Sequence, residues 1–99
     1  MVKLVWTEIA ISDLNDIFDF IAVDSKRYAS ITVNKVYNRA QNIKGNPLAG
    51  WIVPEFNDRM IREVISGSYR IVYKIMSKFQ VVILRVYYTS RLLTEDKLK

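Results

Sequence analysis

The sequence predicts a single α+β domain over residues 1–99, in which an antiparallel two-helix hairpin packs on a mainly antiparallel sheet. Two observations predict this class. Residues 8–44 carry apolar side chains at steps of three and four, which is the period of amphipathic helices. Residues 60–88 contain three strand-like stretches separated by short turns, the pattern of an antiparallel meander. With a short strand ahead of the helices, the element order is β-α-α-β-β-β, and the helices cover one face of the sheet.

The first helix is predicted over residues 8–23. The stretch "KLVW" (3–6) before it is apolar and aromatic, which is typical of an edge or opening strand. Thr7 is a suitable N-cap, and Glu8 lies in the first turn, where a negative charge is favourable. The apolar stripe of this helix is formed by Ala10, Leu14, Ile17 and Ile21.

The second helix is predicted over residues 26–44, after a cap at Asp24 or Ser25. Gly45 stands where a C-terminal glycine is expected, and the Asn-Pro pair at 46–47 prevents the helix from resuming. The exposed side of this helix is basic. Its apolar stripe is formed by Ala29, Val33, Val36, Ala40 and Ile43.

A connecting loop is predicted over residues 47–59, because this segment contains two prolines and a glycine. A brief extended piece is expected inside it at 51–53. The strands that follow are predicted at 60–65, 69–75 and 80–88, with turns at 66–68 and 76–79.

Alternation sorts the two faces of the middle strand. One face carries Tyr69, Ile71, Tyr73 and Ile75, and we expect it to pack on the helices. The other face carries Arg70, Val72 and Lys74; it is expected to be partly open and suited to an anionic ligand. The residues predicted to be buried between helices and sheet are Leu14, Ile17, Val33, Val36, Ile71 and Tyr73.

Composition excludes several kinds of site. The chain has no cysteine and no histidine, so it has no disulfide, thiolate or catalytic imidazole, and a zinc site is almost excluded. We therefore expect no cofactor and no metal. No apolar run reaches the roughly 20 residues that span a bilayer, and the N-terminus lacks a signal-peptide pattern. These features favour a cytoplasmic protein without a membrane partner.

Charge is divided unevenly along a chain whose net charge is +5. Residues 1–24 contain one lysine and five acidic residues, a balance of −4. Residues 25–99 contain fourteen Lys and Arg against five acidic residues, a balance of +9. This division favours a polyanion or an acidic protein as partner of the basic part, with a solvated basic surface as the alternative.

Three stretches of the chain carry a family resemblance. The first, "VWTEIAISDLNDIFDFIAVDS", is a strand, a polar cap and a helix bearing Ala10 and Asp13-Leu14. The second, "NPLAGWIVPE", has a Pro-x-x-Gly and a Val-Pro-Glu element. The third, "IREVISGSYRIVYKI" with "VVILRVYYTSRLL", has Arg-Glu, Tyr-Arg-Ile-x-Tyr and Ser-Arg elements. In this order and spacing they resemble the RelE/ParE superfamily of toxins from type II toxin–antitoxin modules.

The resemblance implies a toxin that a cognate antitoxin holds silent in a hetero-oligomer. RelE-like members cut messenger RNA on the ribosome, whereas ParE-like members poison DNA gyrase. The Val-Pro-Glu and Arg-Glu elements favour the ParE-like branch. An mRNA endonuclease is the alternative, and an inactive family member that acts as a binding module is a further one.

The resemblance also implies site residues for a nuclease. Arg70 corresponds to the middle-strand arginine that stabilises the transferring phosphate, and a guanidinium suits this role because it stays charged and grips two phosphate oxygens. The alternatives are an exposed strand arginine or an ion pair with Glu63. Arg62 lies near the position of a catalytic lysine in RelE-like enzymes, but the spacing within the hairpin differs by one residue. A shift of one residue turns a side chain to the opposite face of the sheet. An ion pair between Arg62 and the adjacent Glu63 is the alternative.

The remaining nuclease residues lie near the end of the chain. Arg91, in "TSRLL", matches a terminal arginine, with a loop cation as the alternative. Tyr87 and Tyr88 occupy a stretch where relatives carry an acid–base residue. A phenol with a pKa of about 10 is a poor base unless cations lower that pKa, although either ring is suited to stack on a nucleobase. Alternation directs one of the two rings to the core. The predicted nuclease site comprises Arg70, Arg62, Arg91 and Tyr88.

Two departures weaken the nuclease interpretation. RelE-like nucleases carry lysines on the first hairpin strand and a tyrosine in the C-terminal segment. Here "MIREVI" has no lysine, and "LLTEDKLK" has no tyrosine or histidine. Attack by an RNA 2′-hydroxyl needs a base, an acid and charge stabilisation. The sequence supplies convincing candidates only for the last.

Overall fold

A computed structural model of the chain describes residues 2–89. Short 3₁₀ turns occur at Ile43–Gly45, Pro47–Ala49 and Pro54–Phe56. The order agrees with the predicted β-α-α-β-β-β arrangement, to which the connecting loop adds the expected extended piece. The elements are β1 (Lys3–Trp6), α1 (Glu8–Ala22), α2 (Lys26–Asn42), β2 (Trp51–Ile52), β3 (Ile61–Ser66), β4 (Tyr69–Ser77) and β5 (Gln80–Tyr88).

Both helices begin at a capping side chain. The hydroxyls of Thr7 and Ser25 each accept a hydrogen bond of 3.0 Å from the backbone N–H three residues later, which satisfies a donor that the helix leaves open. Gly45 was predicted to stand directly after the second helix, and the structure shows that this prediction is wrong. The helix ends at Asn42, and Gly45 closes a 3₁₀ turn without a left-handed φ. Its backbone therefore does not require a glycine.

The sheet is mixed, with the strand order β1-β5-β4-β3-β2. β1 runs parallel to β5, and the other neighbours are antiparallel. β1 pairs only with residues 80–83 of β5. The later part of β5 therefore extends past β1, and α1 lies beside it. The sequence predicts β1 but not the strand with which it pairs.

A β-bulge in β5 changes the phase of its side chains. Tyr73 pairs with Ile83 and Val72 with Arg85, so Leu84 has no partner on β4. A residue inserted in this way turns the following side chains to the opposite face. Arg85 therefore lies opposite Val72 in the register, and its side chain reaches past the end of β1 to Asp13 on α1.

The sheet is packed on both faces. The face that meets the helices, which we call the inner face, holds the main cluster. The other, the outer face, holds a smaller one of Val53, Val72 and Tyr87, against which Phe56, Ile61 and Leu84 pack. The main cluster comprises Ala10, Val36, Ala40, Ile43, Val64, Ile71, Tyr73, Val81, Ile83 and Val86.

The predicted core residues largely occupy the main cluster. Ile71, Tyr73 and Val36 are buried, and the partly buried Leu14 and Ile17 pack against them. Val33 is only half-buried. The alternation in β4 therefore assigned its two faces correctly. Val72, however, is fully buried within the smaller cluster, so the outer face is less open than its sequence pattern indicates.

The connecting loop is fixed to the sheet by the buried phenol of Tyr73. Its hydroxyl donates to the Pro47 carbonyl at 2.6 Å and accepts from the Gly50 N–H at 3.1 Å. Burial raises the pKa of Tyr73, so the phenol stays protonated and able to donate. A Cβ at Gly50 would lie 2.1 Å from this hydroxyl oxygen. Gly50 is therefore required by the close approach of loop and sheet.

We predict that Gly50→Ala lowers the free energy of unfolding by about 2–4 kcal/mol, because the added methyl group displaces the Tyr73 hydroxyl and breaks its buried hydrogen bonds. The matched control is Gly45→Ala, since no atom lies within 4 Å of a Cβ there. The control is expected to change stability by less than about 1 kcal/mol. Urea denaturation of both variants measures the difference, and equal effects would contradict the assigned role of Gly50.

Candidate functional site

The outer face carries an ion pair between neighbouring strands. Arg70 Nε donates to Glu63 Oε2 at 2.9 Å, and Arg70 Nη2 donates to the same oxygen. The two side chains are 16% and 18% exposed. Glu63 pairs with Val72 and Arg70 with Ile65 in the hairpin register, so the ionic residues are diagonal neighbours. The sequence leaves three roles open for Arg70: a phosphate-binding residue, an exposed strand arginine or a partner of Glu63. In the structure, Arg70 forms the ion pair with Glu63.

Exposed apolar side chains flank this ion pair. Trp51 lies opposite Glu63 in the register and is 79% exposed. Ile65 lies opposite Arg70 and is also exposed. Exposed aromatic residues beside a paired charge are typical of surfaces that bind another macromolecule. We call these four residues, Trp51, Glu63, Ile65 and Arg70, the outer patch.

Arg62 lies on the opposite face from Arg70. Its Nη1 donates to the carbonyls of Leu48 at 2.9 Å and Gly50 at 3.1 Å. Its Nε donates to the Arg59 carbonyl at 3.1 Å. The structure therefore does not bring Arg62 to Arg70, and the guanidinium holds the connecting loop instead. This outcome agrees with the one-residue difference in hairpin spacing.

The two tyrosines at the end of β5 point to different faces. Tyr87 is 2% exposed and lies opposite Arg70 on the outer face. Tyr88 packs edge-to-face on Tyr69, with ring centroids 5.6 Å apart, on the inner face. Tyr88 therefore lies across the sheet from Arg70. Arg91 lies outside the described residues.

A second ion pair joins α1 to β5. Arg85 Nε and Nη2 donate to the two carboxylate oxygens of Asp13 at 2.8 and 3.0 Å. The Val86 N–H donates to the same carboxylate at 2.9 Å, beyond the end of β1, where β5 has no strand neighbour on that side. The Arg85 guanidinium also lies 4.8 Å from the centre of the Tyr87 ring. The hydrogen-bonded Asp13 raises the pKa of Arg85, so this cation stays charged.

Sequence reasoning did not assign this second ion pair. The available signal was one arginine inside the apolar stretch "VVILRVYY", since a cation in a buried strand needs a partner. Its partner is 72 residues away, and no local pattern identifies such a partner.

Within residues 2–89, no three acidic, histidine or cysteine side chains come together as a metal site. No helix in this part of the chain has the length and hydropathy needed to cross a membrane.

Comparison with known proteins assigns the family. Residues 4–93 match the family described as the ParE toxin of the type II toxin–antitoxin system, parDE. The chain belongs to the ParE toxin family. A search of curated proteins finds no significant match. The RelE/ParE-like identification made from the sequence is therefore confirmed, together with its preference for the ParE branch.

Two solved structures share the fold of this ParE family member. A chain of the chromosomal ParDE toxin–antitoxin system from P. aeruginosa has a TM-score of 0.74 and 20% identity, covering 89% of this chain and 96% of its own. A chain of the RelBE2 toxin–antitoxin complex from Mycobacterium tuberculosis has a TM-score of 0.55 and 20% identity, covering 88% and 96%. At these identities the comparison shows the fold alone, and it confirms the predicted α+β class.

We predict a measurable coupling between Glu63 and Arg70 in a double-mutant cycle. Glu63→Gln and Arg70→Met each leave a half-buried charge without this partner, so each variant is expected to lower stability. The double variant is expected to lose about 1–3 kcal/mol less than the sum of the two. The matched control is the more exposed pair of Lys74 and Asp58, whose charged atoms are 3.3 Å apart.

The control cycle is expected to give a coupling of less than about 1 kcal/mol. Thermal or urea denaturation of the seven proteins, the wild type and three variants from each cycle, provides both values. Equal coupling free energies in the two cycles would show that burial does not strengthen the Glu63–Arg70 ion pair.

Proposed function

We propose that this ParE family member is the toxin of a type II toxin–antitoxin module and that it arrests growth by poisoning DNA gyrase. A poison of this kind needs a shaped surface that holds an enzyme–DNA intermediate, and it needs no acid–base chemistry of its own. The observation that carries the proposal is the outer patch. Its arginine is held by a carboxylate and lies between exposed apolar side chains, which suits a protein-binding surface.

The positions of the candidate nuclease residues support this choice. RNA cleavage requires a base, an acid and charge stabilisation around one phosphate. Arg62 and Tyr88 lie on the inner face, so neither assists a phosphate bound at Arg70. Tyr87 shares the outer face but is buried. A phosphate at Arg70 would also have to compete with the Glu63 carboxylate for the guanidinium.

A ribosome-dependent mRNA endonuclease is the second candidate, and one observation favours it. Glu63 places a carboxylate, which is able to take up a proton, directly beside a guanidinium suited to phosphate. Under this alternative, Glu63→Gln abolishes the activity. An inactive family member that keeps only antitoxin binding is the third candidate, and it predicts no growth arrest on expression.

Purified protein incubated with gyrase, plasmid DNA and ATP tests the proposal. We predict that cleaved DNA covalently bound to gyrase accumulates and that supercoiling stops. Trp51→Ser is expected to lower the trapped fraction at least tenfold, because a central exposed tryptophan commonly contributes about 2 kcal/mol or more to an interface. Phe79→Ser is the matched control. Phe79 is an exposed aromatic residue at the β4–β5 turn, away from the outer patch, and its loss should leave trapping unchanged.

The nuclease alternative predicts the opposite result when the same purified protein is tested in parallel on gyrase and on translating ribosomes. Gyrase would work normally, and ribosome-bound messages would be cut at fixed positions within codons. If the Arg70→Ala variant no longer made those cuts, the function would be RNA cleavage and the gyrase proposal would be wrong.

We further propose that a cognate antitoxin neutralises the protein through an acidic and apolar segment. The support is the +9 balance of residues 25–99 and the exposed apolar residues of the outer patch. The P. aeruginosa and M. tuberculosis relatives come from a ParDE system and a RelBE2 complex, respectively. An excess of exposed cations attracts acidic chains over a distance set by salt.

Co-expression with the adjacent reading frame tests the antitoxin proposal. We predict a stable complex whose dissociation constant rises at least tenfold between about 0.1 M and 1 M salt, because screening weakens the attraction between exposed charges. A complex with unchanged affinity over that range would show that apolar contacts alone hold the partner. Absence of any complex would leave the module without its second component.

A further inference from the structure

Helix α2 carries positive charge and no negative charge. Residues 25–54, which include all of α2, contain five Lys and Arg and no acidic residue. In the second half of the helix an asparagine precedes a cation at Asn34-Lys35 and again at Asn38-Arg39. Residues four apart are neighbours on one side of a helix, so the repeat forms adjacent rows of amides and cations. The two asparagines and Lys35 are exposed, and Arg39 is half-buried.

Arg62 of β3 lies beside the C-terminal part of these rows. Helix α2 packs on β3 and β4, and Arg62 pairs with Tyr73 in the hairpin register on the inner face. Burial raises the pKa of Tyr73, while the Gly50 N–H and the charges of Arg62 and Arg39 act in the opposite direction. Both guanidinium groups therefore lie within electrostatic reach of one phenol. We call Lys35, Arg39 and Arg62 the basic face.

The two arginines of the basic face have no carboxylate partner in the described part of the chain. Within residues 2–89, neither Arg39 nor Arg62 forms a salt bridge, and the acidic residues nearest to Arg62 in the sequence are bound by Lys74 and Arg70. Arg62 uses Nε and Nη1 to hold loop carbonyls, and its Nη2 has no acceptor among these residues. Half-buried cations that repel one another are stabilised by an anion, so this arrangement favours an anionic ligand.

We infer that the basic face binds the phosphate backbone of double-stranded DNA. A guanidinium fork matches two phosphate oxygens, and lysine and asparagine side chains also contact phosphates. Lys35 and Arg39 lie one helical turn apart, which suits them to separate phosphates of a backbone, and Arg62 is held in a fixed orientation by the loop. The inference goes beyond the proposed function, because it concerns DNA that the protein contacts without gyrase.

The aromatic residue nearest to these rows favours duplex DNA over a single strand. Tyr37 precedes Asn38 on α2, and its ring is stacked on Trp6 with the centroids 5.9 Å apart. That ring is therefore not available to an unpaired base, and stacking on aromatic side chains is the main way in which proteins hold single strands. Cations and amides without such a ring suit the backbone of a duplex.

Fluorescence anisotropy with a labelled duplex of about 20 base pairs tests the inference in the absence of gyrase. We expect the duplex to bind with an affinity that falls steeply with salt, because cations that contact phosphates release counterions. A single-stranded RNA of the same length is expected to bind at least tenfold more weakly. A labelled glutamate-rich peptide serves as the probe for an acidic protein.

Three variants of α2 locate the binding. Arg39→Gln is expected to raise the dissociation constant of the duplex at least fivefold and to lower the slope of log affinity against log salt by about 1. Lys35→Gln is expected to act in the same direction. Lys26→Gln is the matched control, since Lys26 is also exposed but lies nine positions away on the opposite side of the helix. The control removes the same charge and should change binding less than twofold.

Four results would overturn the inference. The first is the absence of duplex binding at low salt. The second is equal weakening by Lys35→Gln and Lys26→Gln, which would show that net charge alone attracts DNA. The third is tighter binding of the RNA that is lost in Arg39→Gln, and the fourth is binding of the peptide, but not of the duplex, that depends on Arg39. Circular dichroism verifies that the variants stay folded.

The DNA-binding experiment and the gyrase experiment fail independently. Duplex binding is measured with purified protein and DNA alone, so its absence leaves the gyrase proposal intact. Gyrase that works normally in the presence of the protein leaves the basic face intact, because the anisotropy of the duplex does not depend on gyrase.

Discussion

Strand β4 is packed on both of its faces, and this burial determines how the helices and the connecting loop are arranged. Ile71, Val72 and Tyr73 follow one another along this strand, and all three are fully buried. Adjacent strand residues point to opposite faces, so a chain of 99 residues must supply two covering layers. The helical hairpin covers one face, and the loop segment around Val53 and Phe56 packs on the other. The Tyr73 hydroxyl and the Arg62 guanidinium bind the backbone of the same connecting loop outside this segment, at residues 47–50 and 59.

This constraint determines what the strand arginines do. A cation beside a buried cluster needs an acceptor close by, because leaving it unpaired is costly. Arg70 is bound by Glu63 at the margin of the outer cluster, and Arg85 is bound by Asp13 where β5 extends past β1. Each arginine is therefore already bound by a carboxylate of the fold, and a ligand would have to compete with that carboxylate for the guanidinium. This arrangement favours a function based on surface shape, as proposed for the poisoning of gyrase.

Local patterns predicted most of the fold, and features set by distant contacts escaped them. Apolar periodicity located both helices, and alternation located the strands and the faces of β4. The Leu84 bulge reverses the phase within β5, so simple alternation from Val81 would have placed Arg85 on the inner face. The Leu48 and Gly50 carbonyls that bind Arg62 belong to an irregular loop, and the α1 carboxylate that binds Arg85 lies 72 residues away. In the candidate site, the register alone was enough to propose the Glu63–Arg70 pair, because hairpin partners are close in sequence.

The proposed function requires that the protein acts on gyrase and leaves RNA uncut. Two kinds of sequencing on one induced culture test this requirement. One maps the DNA ends that are covalently bound to gyrase, and the other maps new RNA 5′ ends. We predict a rise in gyrase-bound DNA ends across the genome within the period of growth arrest, with RNA ends unchanged from an uninduced culture. RNA ends that appear at one position within codons, without any rise in gyrase-bound DNA, would show that the protein is an mRNA endonuclease.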